Sequence, residues 1–386
     1  MLSHALPALN AAASADEVFS CRVTMCDTEW QAMRCAWDEL YAASPTASAA
    51  LDFAWLQTWW TAYSASFDTA ELRIITVWCT DRMIGALPLY TCLTRCGPLA
   101  LRRLCLMSTG EAEFEESCAD YLNVLIVPRE EAACMDAIWR AIDQIDWHHL
   151  QFQDLPEDTP LLNPRSAPHR IRAHQRGQCL IADLTGGFEA YLERLSPNRR
   201  QQARRLMREG KRAGAALELV SADHAEHAFD DLVRLHQERW IADGDVGVFA
   251  APRFLEFHRS LVRQWLPTGR GLLAQLSVGS TPVAVLYGFI TGKKFDFYQS
   301  GVQFGPTAPL KSPGNLAHLL LMKTLAERGI DAYDFLRGAS TYKQRLANRG
   351  CELIGIEIWR PSLRVALYRS IEFAGRVVRK GLQFVS

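Results

Sequence analysis

Residues 293–345 hold the side chains whose types and order could do chemistry. Lys294-Phe-Asp-Phe-Tyr-Gln-Ser-Gly301 alternates as a strand and ends on glycine, and Lys311-Ser-Pro-Gly-Asn315 then opens an apolar helical run from Leu316 to Arg328. Ile330-Asp-Ala-Tyr-Asp-Phe-Leu336 reads as a second strand, followed by a short polar helix within Arg337-Gly-Ala-Ser-Thr-Tyr-Lys-Gln-Arg345. That order sets a helix N-terminus beside the end of a strand. Its unpaired N–H groups and partial positive charge make an anion site, and phosphate is the usual occupant, so a phosphorylated cofactor is implied. Tyr342 suits protonation of a departing thiolate and Lys343 the holding of an anionic substrate group, or else the tyrosine packs its ring and the lysine is solvated. Asp334, between two aromatic residues of its strand, either faces a polar cleft or is paired.

Two other stretches carry charge in a pattern. Residues 194–212 contain eight basic side chains; Ser196 stands where an N-cap belongs and Pro197 at the first helical position, so Arg200, Arg204 and Arg208 form an i, i+4 row. The row is either a solvated ridge facing the acidic first half or a surface for phosphate or another anion. Leu235-His-Gln-Glu-Arg-Trp240 closes a helix ahead of the Gly-rich Asp243-Gly-Asp-Val-Gly247, where Glu238 or Arg239 faces a substrate or forms an ordinary ion pair. His224-Ala-Glu-His227 is the nearest approach to metal-ligand spacing, but it has too few ligands, and no metal is expected.

The elements that position these residues fall into two series. Glu29 to Ala42 and Phe53 to Tyr63 have helical spacing, ahead of a hairpin at Leu72–Trp78 and Met83–Leu87. Leu101–Met107, Tyr121–Val127 and His148–Gln153 read as strands, with a helix from Glu130 to Ile145. The polar, Pro-containing stretch from Pro156 to Pro168 marks a boundary. Beyond it, helices at Asp223–Trp240 and Pro252–Trp265 precede a second hairpin, Leu272–Val278 and Pro282–Gly288, so a duplicated α/β unit is expected.

Composition bounds the class. At 386 residues and 49% hydrophobic, the chain has material for two domains, without an apolar run long enough to span a membrane or a basic flank before its Ala-rich start, so a secreted form is not expected. Eleven irregularly spaced cysteines read as reduced residues of a cytosolic protein. Residues 1–160 hold nine arginines, no lysine and 23 acidic residues, a net −14, against +13 for the rest. The halves should attract each other, and the second should handle anions. The last 27 residues are basic and amphipathic, with Leu363, Leu367, Ile371, Ala374, Val378 and Leu382 on one side, which fits packing on the protein's own surface or a peripheral membrane contact.

Taken together, Ser196-Pro-Asn-Arg-Arg-Gln-Gln-Ala-Arg-Arg205, Leu235-His-Gln-Glu-Arg-Trp240, Ser312-Pro-Gly314 and Tyr333-Asp-Phe-Leu-Arg-Gly-Ala-Ser-Thr-Tyr-Lys343 resemble the GNAT-superfamily acyltransferases of the cellulose-biosynthesis (CelD-like) type, which are related to the Fem peptidyltransferases. The matching segments run from about residue 185 to 350. The resemblance implies an α/β (α+β) fold of tandem GNAT-like domains, each a mixed, mostly antiparallel sheet flanked by helices. Residues 1–160 would form a domain without cofactor, 170–360 the acyl-CoA-binding catalytic domain, and 361–386 a basic C-terminal helix. The cofactor strand would supply Tyr298, Gln299, Ser300 and Gly301, and the pyrophosphate would rest on Lys311, Ser312, Gly314 and Asn315. Here the family's Gln/Arg-x-x-Gly-x-Gly/Ala loop is replaced by Pro309-Leu-Lys-Ser-Pro-Gly314.

The implied activity is direct transfer from acetyl-CoA or another acyl-CoA to an amine or hydroxyl of a small-molecule or saccharide acceptor. It would serve cytoplasmic exopolysaccharide or cell-envelope biosynthesis. Tyr342 would be the acid, Glu238 or Asp334 the base, and Arg239, Trp240 and Lys343 would bind the acceptor. A Fem-like, aminoacyl-tRNA-dependent peptidyltransferase is the alternative, with the Arg-rich helix as tRNA surface, although no sustained heptad run supplies the coiled-coil arm of those enzymes. Apart from that case nucleic acid is not expected. A non-catalytic accessory protein of polysaccharide synthesis is the third reading, and it predicts no cofactor binding.

Overall fold

Helical and alternating apolar periodicity set two series of elements. The computed structural model describes residues 19–162, 171–305, 308–338 and 340–372. The first series is β1 (Phe19–Thr24), α1 (Asp27–Ala32), α2 (Arg34–Ala43), α3 (Phe53–Tyr63), β2 (Glu71–Cys79), β3 (Arg82–Cys96), β4 (Leu99–Leu106), β5 (Leu125–Ile126), α4 (Glu131–Gln144) and β6 (His149–Pro156). After β7 (Arg172–Asp183), α5 (Phe188–Arg194) and α6 (Pro197–Arg212), the second runs β8 (Ala215–Leu219), α7 (Ala225–Ala242), α8 (Pro252–Trp265), β9 (Gly271–Val278), β10 (Thr281–Thr291), β11 (Lys294–Val302), α9 (Pro313–Glu327) and β12 (Ala332–Arg337). The short α10 (Thr341–Leu346) and β13 (Arg349–Trp359) follow.

All strands join one sheet, in the order β1-β2-β3-β4-β6-β13-β7-β12-β11-β10-β9-β8, with β5 added on β3. Neighbours are antiparallel except at β4–β6 and β11–β12, where a helix, α4 or α9, makes the crossover that a parallel pair requires. Read inward from either edge, the two series mirror each other, strand for strand and crossover for crossover. The seam between them is β13 against β7, two long strands of which β7 is polar over most of its first half and so gives no apolar alternation to read. Because β13 also pairs with β6, the sheet passes unbroken through the expected boundary.

The cores are joined as well. Trp55, on α3, is 1% exposed and meets Phe257 at 5.0 Å, Phe289 at 5.4 Å and Trp265 at 5.9 Å between ring centroids, all from the second half. Asp52 caps α3 through the Ala54 N–H (2.8 Å) and also pairs with Arg270, while Glu115 takes Arg253 at 3.0 Å. The opposite charges of the halves thus meet in specific ion pairs. One expected strand is mostly absent: of Tyr121–Val127 only Leu125–Ile126 pairs, and Tyr121 at its start leaves the extended region for a left-handed φ of 61°.

The Arg-rich helix begins at Pro197 with Ser196 in the capping position, although the serine side chain makes no cap bond. It packs on α9 where Gly210 meets Leu316; a Cβ at Gly210 would lie 2.4 Å from the leucine methyl. Its partner is therefore α9 and not the acidic first half. The expected C-terminal helix is present as residues 363–372, and the remainder of that expectation lies outside the described residues. Among the described residues no helix is long and apolar enough to cross a membrane, and no disulfide forms.

Candidate active site

The site opens where β11 and β12 part. They pair at only three positions, Lys294 to Asp296 with Ala332 to Asp334, while β11 stays on β10 through Val302. A bulge opposite Tyr287/Gly288 places its extra residue, Tyr298, on β11 and bends that strand there; a Cβ on Gly288 would sit 2.2 Å from the Asp296 carbonyl oxygen, so only glycine fits. Between the diverging strands lies a cavity of about 410 Å³, walled by Phe297 to Ser300 on one side and Phe335 to Arg337 on the other. Tyr342 and Lys343 reach it from α10, and Glu113, Glu116, Cys118 and Asp120 from a loop of the first half.

A second cavity of about 250 Å³ sits at the start of α9, lined by Arg239, Phe304, Lys311, Ser312, Gly314, Asn315 and His318. It shares Ser300 and Tyr342 with the first, so the two meet at those residues. Pro313 fills the first helical position, where its missing N–H is no loss, and Ser312 makes no side-chain cap. The first-turn N–H groups therefore point, unsatisfied by the helix, at whatever occupies the cavity. Through Lys311, Ser312 and Asn315 the space continues into a groove of about 230 Å³ beside α6, where Arg199, Arg205 and Arg345 stand. The side of α6 lining it carries Arg199, Gln202 and Leu206, not the expected row of Arg200, Arg204 and Arg208; Arg204 instead pairs with Glu189 at 3.1 Å.

Burial sets the protonation of these groups. Tyr342 stacks on His318 (5.4 Å, 16°), and desolvation pushes its hydroxyl up to about 12, so it holds its proton at neutral pH. Burial and Lys343 push His318 down to about 3, and its Nδ1 hydrogen-bonds Tyr333 Oη at 2.7 Å. Lys343, lowered by burial, donates to the Arg337 carbonyl at 2.9 Å. Arg337 in turn holds Asp154 (2.9 Å) and Glu116 (3.3 Å). Asp120 is 8% exposed; Oδ2 accepts the Arg337 backbone N–H at 2.6 Å, whereas Oδ1 is buried without a hydrogen bond, 3.6 Å from Arg337 Nε. Burial, with Asp154 and Asp334 adding to it against Arg337, raises this carboxyl to about 7. Cys118, Tyr121, Asp154 and Leu336 all adopt left-handed backbone here, a concentration of strain of the kind found at functional sites.

The structure sorts the expected residues. Lys311, Ser312, Gly314, Asn315, Ser300 and Tyr342 gather at the second cavity, with Arg239, whose guanidinium lies 4.5 Å over Phe304. Gln299, Tyr298 and Lys343 line the first. Tyr298 is nevertheless fixed in the core, donating to the Ser117 carbonyl at 2.6 Å beside His258. Gly301 lines neither cavity: a Cβ there would lie 2.3 Å from the Leu232 carbonyl, so the glycine lets α7 approach β11. Neither expected base is placed to act. Asp334 is wholly buried, its oxygens taken by Tyr121 Oη (2.6 Å) and the Leu336 N–H (2.8 Å), and Glu238 pairs on the exposed side of α7 with Arg234 at 3.1 Å. Trp240 also faces away, 40% exposed and outside both cavities. Glu226 pairs with Arg259 and Arg263, and no group of three metal-ligating side chains occurs among the described residues.

Sequence reasoning missed Asp120, Glu116 and His318. The available signal for the acids was their density, with Glu111, Glu113, Glu115, Glu116 and Asp120 within ten residues; for His318 there was none.

Residues 197–344 match the acetyltransferase (GNAT) domain family. The match begins at α6 and ends within α10, and so spans both cavities' second-half walls. No curated protein matches the sequence. Among solved structures the fold is similar to that of FemX, at 12% identity and a TM-score of 0.61, covering 88% of this chain and 98% of that one. It is also similar to a conserved protein of unknown function from Bacteroides thetaiotaomicron VPI-5482, at 12% identity and a TM-score of 0.54, covering 88% and 100%. At such identities the likeness is one of fold.

Proposed function

We propose that the chain is an acyl-CoA-dependent N- or O-acyltransferase, an acetyltransferase in its simplest form, working by direct transfer to an amine or hydroxyl. The observation that carries this reading is the meeting of two cavities at Ser300 and Tyr342, one built on a cationic helix start and the other walled by carboxylates. The donor's phosphates fit Lys311, the N–H groups of Gly314 and Asn315, and the arginines of the adjoining groove. Bound there, acyl-CoA supplies an activated thioester.

The chain's own groups do the rest. Unpaired N–H groups of β11 beyond Asp296 would face the thioester carbonyl, a preorganised place for developing negative charge. Tyr342, protonated at neutral pH, gives its proton to the departing thiolate. Asp120, contributed by the first half, takes the proton of the acceptor, a role its raised carboxyl suits near neutrality. Lys343 and Arg337 hold the wall between them. A saccharide or other small acceptor of cytoplasmic exopolysaccharide or envelope synthesis rests on the CelD-like resemblance alone.

One observation favours a second reading. The groove beside α6, with Arg199, Arg205, Lys311 and Arg345, extends the cationic surface past one cofactor's pyrophosphate, as an aminoacyl-tRNA donor of the Fem type would need. Calorimetric titration with acetyl-CoA and longer acyl-CoAs, with a variant replacing Ser312 and Gly314 by bulky residues, separates the cases. Binding by the wild type that the variant loses supports the first. A folded wild type that binds no acyl-CoA sinks it; aminoacyl-tRNA binding would then favour the second, and neither donor a non-catalytic accessory role.

A further inference from the structure

The chain's described end packs with its apolar row outward. Ser362 caps the helix of residues 363–372, its hydroxyl accepting the Val365 N–H at 3.1 Å. Val365 and Tyr368 are buried on Leu101 and fasten the helix to the sheet beside Trp359. Leu363, Leu367 and Ile371, spaced i, i+4, i+8 and so on one face, are 92%, 53% and 37% exposed. Single exposed apolar residues are ordinary, but an aligned row on a helix already docked by other residues is not. The sequence continues the row with Ala374, Val378 and Leu382, and residues 361–386 carry Arg364, Arg369, Arg376, Arg379 and Lys380 against one acid, Glu372.

We propose that this helix is a contact for an anionic lipid surface. The row Leu363, Leu367 and Ile371 enters the boundary between headgroups and acyl chains, and the flanking cations meet the lipid phosphates. Charge decides the occupant. A second copy would bring two segments of net +4 together, whereas an anionic bilayer offers both an apolar layer and opposite charge. The helix lies along the surface, since polar and cationic residues share its turns with the apolar row and no described helix is long and apolar enough to cross a membrane.

The test is vesicle flotation of the full chain with phosphatidylcholine alone and with equal parts phosphatidylcholine and phosphatidylglycerol. The expected result is capture by the anionic vesicles only, weakened by salt, and at least about tenfold weaker for the triple variant Leu363→Glu, Leu367→Glu, Ile371→Glu. All three side chains are exposed, so an unchanged Tm shows that the variant is folded. Absence of wild-type binding to the anionic vesicles overturns the proposal, as does equal binding by the folded variant. So does a wild-type dimer in light scattering that the variant abolishes, which would make the row a contact between copies. None of these outcomes depends on the activity proposed above.

Discussion

In the first half, α4 leads to a strand that meets β4 over three residue pairs, Arg103 to Cys105 with His149 to Gln151; in the second, α9 leads to one that meets β11 over three, Lys294 to Asp296 with Ala332 to Asp334. Past those pairs the first half is filled by its own chain. The Leu122 N–H donates to the Asp154 carbonyl at 3.1 Å, β5 pairs with β3, and Leu122 and Val124 are wholly buried. At the matching place in the second half the cavity opens instead. The two helix starts also differ in sign: Glu130 and Glu131 precede and open α4, where Lys311, Gly314 and Asn315 surround the start of α9. An anion would be repelled from the first and held by the second. What the filling segment does elsewhere is instructive, because the same loop carries Glu116, Cys118 and Asp120 into the other half's cavity. One segment thus fills the gap in its own half and walls the cavity of the other.

Such a composite wall requires that the halves behave as one body, and the largest expected effect tests this. Trp55→Ala removes a ring packed on three aromatic residues of the second half, a loss of about 3–5 kcal/mol. Chemical denaturation of the wild type should show one transition for the whole chain, moved to markedly lower denaturant in the variant. Two separate wild-type transitions, or a loss below about 1 kcal/mol, would break the picture of a shared core.

How much of this could be read beforehand follows from what local pattern encodes. The strand Leu72–Trp78 announces itself by its run of β-branched and apolar residues, and helices such as Pro252–Trp265 because one face is apolar and the other is not, while the cavity at the start of α9 was legible because Lys311 to Asn315 are contiguous with the helix they open. Asp120 was not, since long-range contacts between the halves bring it to the cavity, where it accepts the N–H of Arg337 217 positions away, a pairing that no window of sequence contains. Asp334 misled for a related reason. A carboxylate between aromatics reads equally as a cleft residue or a buried anchor, and its partner Tyr121 stands 213 positions away.

Asp120→Asn gives the next largest effect and tests whether the first half contributes chemistry. Turnover should fall by about a hundredfold or more, as for loss of a general base. With the carboxyl raised to about 7, wild-type activity should climb as pH passes through that value, and the variant should lose this limb. Stability runs the other way. The folded state binds this proton more tightly than the unfolded chain does, so the wild type loses stability as pH rises from about 4 toward about 7, and the variant, with no carboxylate to desolvate, should keep its Tm at pH 8. A Tm that drops together with activity would instead mark Asp120 as an anchor for Arg337.

The smallest effect concerns the two helix starts. Lys311→Glu gives the second half the acidity of the first, and because Lys311 is exposed the fold should be untouched. Acetyl-CoA affinity should fall by about tenfold at low ionic strength and by less at high salt, as expected for a screened surface charge. The reverse exchange, Glu130→Lys with Glu131→Ser, should leave binding at one donor per chain, since Leu122 to Ile126 still fill the gap beside β6 that a donor would need. A second binding event in that variant would show that charge alone had silenced the first half. Its absence, with Lys311→Glu still weakening the second site, would show that packing silenced it and that the change of sign at α4 came with nothing left to repel.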